Sequence, residues 1–80
     1  MGCREEILEA LPAVLERTGG GPFSPQDVVN ELARRGSGYS ASTVRTHVVS
    51  RMCMDSPDNH GTVYADLRRV SPGRYRLLHE

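Results

Sequence analysis

Apolar residues recur at helical spacing in three stretches of this 80-residue chain. Over residues 4–18, Ile7, Leu8, Leu11, Val14 and Leu15 share one face while the glutamates mostly line the other, which predicts an amphipathic helix. Glu5 and Glu6 fall in its first turn, where the helix dipole favours acids. Pro12 removes one hydrogen bond and presses on the carbonyl of Leu8, so a kink, or a break into two short pieces, is expected there. Gly19-Gly20-Gly21-Pro22 ends the element.

The second and third stretches begin alike. Ser24 is a natural N-cap, Pro25 suits the first helical position and Asp27 completes a capping box. Phe23 and Val28 are spaced for a hydrophobic staple, and Val28, Val29, Leu32 and Ala33 form the expected buried stripe. Arg34 and Arg35 occupy the last turn and Gly36 supplies the stop. Ser40 caps the third helix, with Tyr39 and Val44 repeating the staple and Val44, Val48 and Met52, with Ala41, facing the core. At ~100° per residue, Thr43, Thr46, His47 and Ser50 lie on the opposite face, flanked by Ser42 and Arg51. Arg45 falls nearer the apolar side, so it must snorkel, pair with an acid or leave at the projecting N-terminal end.

Residues 55–61 read as a loop around Asp58-Asn59-His60-Gly61, and Thr62-Val63-Tyr64 as a short extended piece. A hairpin follows, Leu67-Arg68-Arg69-Val70 and Arg74-Tyr75-Arg76-Leu77, turning at Ser71-Pro72-Gly73. Tyr75 and Leu77 alternate inward and Arg74 and Arg76 outward. In the first strand an inward Leu67 would carry Arg69 inward too; a bulge, or pairing of Arg69 with an acid such as Asp66, resolves this. Three helices and then a two-stranded wing, with at most one short additional strand, give an α+β winged helix spanning residues 1–80 as one domain.

Length, charge and cysteine usage narrow the function. Eighty residues hold one small core. Cys3 and Cys53 cannot form a disulfide framework; Cys53 reads as a buried small hydrophobe in the third helix, and a Cys3–Cys53 bridge is the alternative. No apolar run approaches the ~20 residues of a membrane span and no signal-peptide pattern opens the chain, so a soluble cytoplasmic protein is expected. Net charge is zero, which argues against strong nonspecific binding to nucleic acid. The charges are nevertheless segregated: Glu5, Glu6, Glu9 and Glu16 crowd the first helix, and Arg45, Arg51, Arg68, Arg69, Arg74 and Arg76 lie in the second half. Every basic residue is Arg, suited to bidentate recognition of phosphate or guanine, although GC-rich coding also favours Arg.

A polar helix face of Thr, His and Ser, low in charge, suits base edges in the major groove better than it suits plain solvation. The wing arginines suit phosphates, and equally protect an exposed strand from pairing with neighbours. His47 and His60 lack partners at metal-ligand spacing, and Ser42, Ser50 and His47 lack an orienting carboxylate for a nucleophilic triad. No metal, cofactor, small-molecule substrate or enzymatic activity is expected.

The strings Ser42-Thr43-Val44-Arg45-Thr46-His47-Val48, Arg51-Met52-Cys53, Tyr64-Ala65-Asp66-Leu67-Arg68-Arg69-Val70 and Gly73-Arg74-Tyr75-Arg76-Leu77 resemble the small bacterial winged helix-turn-helix domains found alone or beside restriction endonucleases. More distantly they resemble the HARE-type winged helix. With Phe23-Ser24-Pro25 the likeness covers most of residues 23–78. It implies double-stranded DNA binding, with the third helix in the major groove and the wing on the backbone, in a regulatory or accessory role beside a restriction or defence system. Zero net charge departs from the strongly basic members, and the chain carries no nuclease motif. The expected site is Ser42, Thr43, Arg45, Thr46, His47, Ser50, Arg51, Arg68, Arg69, Arg74 and Arg76. The competing expectation is a protein-interaction winged helix docking a partner through its acidic first helix or its wing.

Overall fold

A computed structural model describes residues 2–53 and 64–78. The loop expected over residues 55–61 and the extended pair Thr62-Val63 lie outside them. The described chain runs α1 (Cys3–Arg17), α2 (Pro25–Arg34), α3 (Ala41–Thr46), a π-helical segment (His47–Arg51), β1 (Leu67–Ser71) and β2 (Arg74–Leu77). Three helices followed by an antiparallel hairpin make an α+β fold with the layout of a winged helix.

Helix α1 buries Cys3, Ile7, Ala10, Leu11 and Val14, with Leu8 and Leu15 half-covered at its edges. It runs unbroken through Pro12, where a kink or a break into two pieces was expected. Buried residues on both sides of the proline hold the two halves together, and Pro12 itself is exposed, so water is at hand for the carbonyl it leaves unbonded. Helix α2 begins as its sequence predicts: Asp27 N–H donates to Ser24 Oγ (3.2 Å) and Ser24 N–H to Asp27 Oδ2 (2.8 Å). It ends with Gly36 N–H on the Ala33 carbonyl and Ser37 N–H on that of Leu32, with Gly36 at φ 75°. Its buried face is Val28, Leu32 and Glu31; Val29 is half-covered and Ala33, expected inside, is exposed.

The third helix departs most from expectation. Ser40 caps it, accepting from Thr43 N–H at 3.2 Å, but Tyr39 stays 37% exposed rather than joining the core as Phe23 does at 0%. The α-helix lasts only to Thr46 and then widens, Met52 N–H reaching the His47 carbonyl five residues back at 2.8 Å. Val44, Val48 and Met52 are all buried at steps of four. A regular α-helix overshoots a full turn by ~40° at each such step, and the wider π turn, with fewer degrees per residue, brings the run back in line with the core. Cys53 therefore lies past the helix, in a parallel bridge to Leu67, and Cys3 and Cys53 are both buried and both free. Burial, and then the neighbouring Glu6 and Glu5, push the Cys3 thiol up from its ordinary pKa.

The wing is fastened at two places. The Met52 carbonyl accepts from both Asp66 N–H (3.1 Å) and Leu67 N–H (2.9 Å). Phe23 and Tyr75 exchange both backbone hydrogen bonds at 2.8 Å, a one-residue antiparallel bridge beside the hairpin. Phe23, Leu67 and Tyr75 thus close the core over α1 and α2.

Candidate nucleic-acid interface

Three donors on the polar side of the third helix are spent within the helix itself. Thr46 Oγ1–H donates to the Ser42 carbonyl at 3.0 Å, and Ser40 Oγ–H to Thr43 Oγ1 at 3.0 Å. His47 Nδ1 lies 2.9 Å from the Thr43 carbonyl. A carbonyl only accepts, so Nδ1 carries the hydrogen and Nε2 of the neutral ring is left as an acceptor. What Thr46 and His47 can still offer outward is acceptor capacity. Ser42 and Thr46 are exposed, Thr43, His47 and Ser50 half-buried, and Arg51 exposed. His47, Ser50 and Arg51 lie on the π-helical segment, so the even ~100° spacing assumed from sequence does not place them.

Arg45 resolves to a partner that the sequence did not suggest. Its guanidinium donates to Gln26 Oε1 on α2, and Gln26 Nε2 donates in turn to Asn30 Oδ1 at 2.9 Å. The exposed Arg45 is steered by an amide, with its charge uncompensated by that contact.

On the wing, Leu67 pairs with Leu77, Arg68 with Arg76 and Arg69 with Tyr75. Alternation along the strands places Arg68, Arg76 and Arg74 on one face, all exposed, and Leu67, Tyr75 and Leu77 on the other. A bulge does occur in β1, but between Arg69 and Ser71, past Arg69, so it leaves Val70 exposed without turning Arg69 to the other face. Arg69 shares the Leu67 face, opposite Tyr75, where it partly offsets the rise that burial, and then Cys53, impose on the Tyr75 hydroxyl. Arg69 is thereby separated from Arg68, Arg74 and Arg76. Asp66 turns away from Arg69 to a more distant arginine: Arg4 Nε and Nη2 donate to its two oxygens at 2.8 and 2.9 Å, and the Arg4 guanidinium lies 4.0 Å from the centre of the Tyr64 ring. The doubly bonded pair holds Arg4 above its ordinary pKa.

Sequence reasoning also passed over Glu31. It is 6% exposed and ringed by Arg35 (2.9 Å), Arg34 (3.4 Å) and Arg17 (3.4 Å). The Arg35 hydrogen bond, supported by Arg34 and Arg17, lowers its pKa against the opposing effect of burial. Arginines three and four residues after a glutamate were the available signal.

Residues 5–77 match a family described as a domain of unknown function, DUF7669. The chain belongs to DUF7669. No curated protein and no solved structure matches it. Among the described residues this DUF7669 chain has no cluster of three metal-ligating side chains and no helix long and apolar enough to cross a membrane. Its zero net charge divides unevenly. Arg4, Arg17, Arg34 and Arg35 are each salt-bridged, to Asp66 or Glu31, in the scaffold. Arg45, Arg51, Arg68, Arg74 and Arg76 form no salt bridge with any described carboxylate, and Glu5, Glu6, Glu9 and Glu16 on α1 form none with any described basic group.

Proposed function

We propose that this DUF7669 domain binds double-stranded DNA, laying its third helix in the major groove and its wing along the backbone. The observation that carries the reading is the division of the arginines. Those of the scaffold are each salt-bridged, to Asp66 or to the shared Glu31, while five in the proposed contact region have no described carboxylate and keep their charge for an external anion. Ser42, Thr43, Thr46, His47 and Ser50 face bases or adjacent phosphates; Arg45, Arg51, Arg68, Arg74 and Arg76 hold the backbone, with Arg69 at the inner edge of the wing. Because Thr46 and His47 offer acceptors, the bases they favour are those presenting amino groups in the major groove, cytosine and adenine. Gln26 keeps Arg45 in place. By resemblance the domain serves a restriction or defence system in the cytoplasm, as a regulatory or accessory module without catalysis of its own. The second reading, docking of a protein partner, is favoured by the uncompensated acids of α1.

The test is an amide chemical-shift map with a short random duplex at low and physiological salt. DNA binding moves residues 42–51 and 68–76. Arg74→Ala with Arg76→Ala lowers the slope of log affinity against log salt by ~2, about one for each lost phosphate contact. Absence of shifts in low salt, or shifts centred on residues 5–16 with a protein partner, transfers the case to the second reading.

A further inference from the structure

The arginines around Glu31 do more than neutralise it. Arg17 and Arg34 both approach Glu31 Oε1 through Nε, at 3.4 Å. Their terminal Nη groups donate to no acceptor among the described residues. Both arginines line a cavity of about 180 Å³ between the end of α1 and the outer side of α2, together with Val14, Thr18, Asp27 and Asn30. Asn30 spends its Oδ1 on Gln26, and its Nδ2 likewise has no described acceptor. Thr18 donates inward, to the Leu15 and Gly21 carbonyls. The cavity is therefore lined by two arginines and an asparagine that keep donor capacity to spare, and the buried Glu31 carboxylate holds both guanidiniums at their Nε.

Charge does not oppose an anion. The lining carries Arg17 and Arg34 against Asp27, and Glu31 beneath them is shared with Arg35, which lies outside the cavity, so the cluster of three arginines and two acids keeps one positive charge. One Asp27 oxygen is already committed to Ser24 N–H in the capping box. The volume is below the ~300 Å³ at which small-molecule pockets begin, so it suits one anionic group rather than a whole nucleotide. Arginine forks match the tetrahedral oxygens of phosphate.

We propose that this cavity is a phosphate-binding site in which Arg17, Arg34 and Asn30 supply the donors and Glu31 positions the two guanidiniums. The phosphate belongs either to the DNA backbone, since Asn30 and Gln26 connect the cavity to Arg45, or to a free phosphate species. The site stands whether or not the third helix reads DNA.

The experiment follows the Arg Nε–Hε and Asn Nδ2 side-chain resonances by NMR while inorganic phosphate is added, with chloride at matched ionic strength as the control. Phosphate shifts Arg17, Arg34 and Asn30 saturably and chloride does not. Phosphate that moves these signals no more than chloride overturns the proposal. Arg17→Lys with Arg34→Lys keeps the charge but removes the forks, and weakens phosphate binding several-fold; unchanged binding overturns the roles assigned to them. A parallel titration with a short duplex separates the sources. Duplex shifts at the cavity as well as at residues 42–51 assign the phosphate to DNA, and duplex shifts at residues 42–51 alone assign it to a free species. A duplex that moves nothing, while phosphate still binds, overturns the DNA reading and leaves the site.

Discussion

Helices α2 and α3 open with the same residue pattern and come to different ends. Each has an aromatic residue, a capping serine and a valine four residues further on: Phe23-Ser24 with Val28, and Tyr39-Ser40 with Val44. In α2 the aromatic is fully buried and tied to Tyr75 by two backbone hydrogen bonds, and the helix runs ten regular residues to a glycine stop. In the third helix the aromatic stays exposed, the α-helix lasts six residues and the backbone then widens into the π segment. The cap decides where a helix starts, and what lies across from it decides how it continues. The helix tied to the wing just before its cap is scaffold; the one joined to the wing only at its far end, through Met52, carries the polar face.

The largest expected contrast is at the two aromatics. Phe23→Ala costs about 3–5 kcal/mol in urea denaturation, as for a buried aromatic, whereas Tyr39→Ala stays within about 1 kcal/mol. Equal losses would mean that both helices are anchored alike. The caps give a smaller difference. Ser40→Ala costs about 1 kcal/mol and Ser24→Ala somewhat more, within the ~0.5–2 kcal/mol range for caps, because Ser24 is half of a reciprocal pair with Asp27. Denaturation midpoints of the two variants check the order.

The smallest effect shows only in acid. Glu31 has its pKa lowered by folding, so the stability it contributes is present above the ordinary glutamate pKa of ~4.3 and is lost as pH falls through the lower folded value. Glu31→Gln therefore flattens the acid limb of a stability–pH profile below about pH 4.3. An unchanged limb would remove Glu31 as the pin of α2.

The fold was legible wherever the information is local. Caps at Ser24 and Ser40, the glycine stop at Gly36, the Pro72-Gly73 turn and the inward alternation of Tyr75 and Leu77 each follow from a few neighbouring residues. What was missed depends on residues far apart in sequence. Arg4 meets Asp66 across 62 positions, which diverts the acid offered to Arg69. The π segment answers to a core that Val44, Val48 and Met52 must all reach, although their even spacing of four was a visible hint. Glu31 was overlooked because a charge beside Leu32 reads as surface until three arginines converge on it. Of the expected site, Arg68, Arg74 and Arg76 share a wing face, Arg69 lies on the other, and Arg45 is held by an amide from α2.

The Met52 carbonyl, shared by two amides of the wing, has a consequence for binding entropy. It splices the end of the helical run to the first residue of β1, and the Cys53–Leu67 bridge adds a second join beside it. A ligand that touches helix and hairpin together meets two surfaces whose relative orientation was settled when the chain folded. The alignment entropy that two loosely tethered elements would surrender on association has already been lost, so a modest number of contacts yields more net affinity.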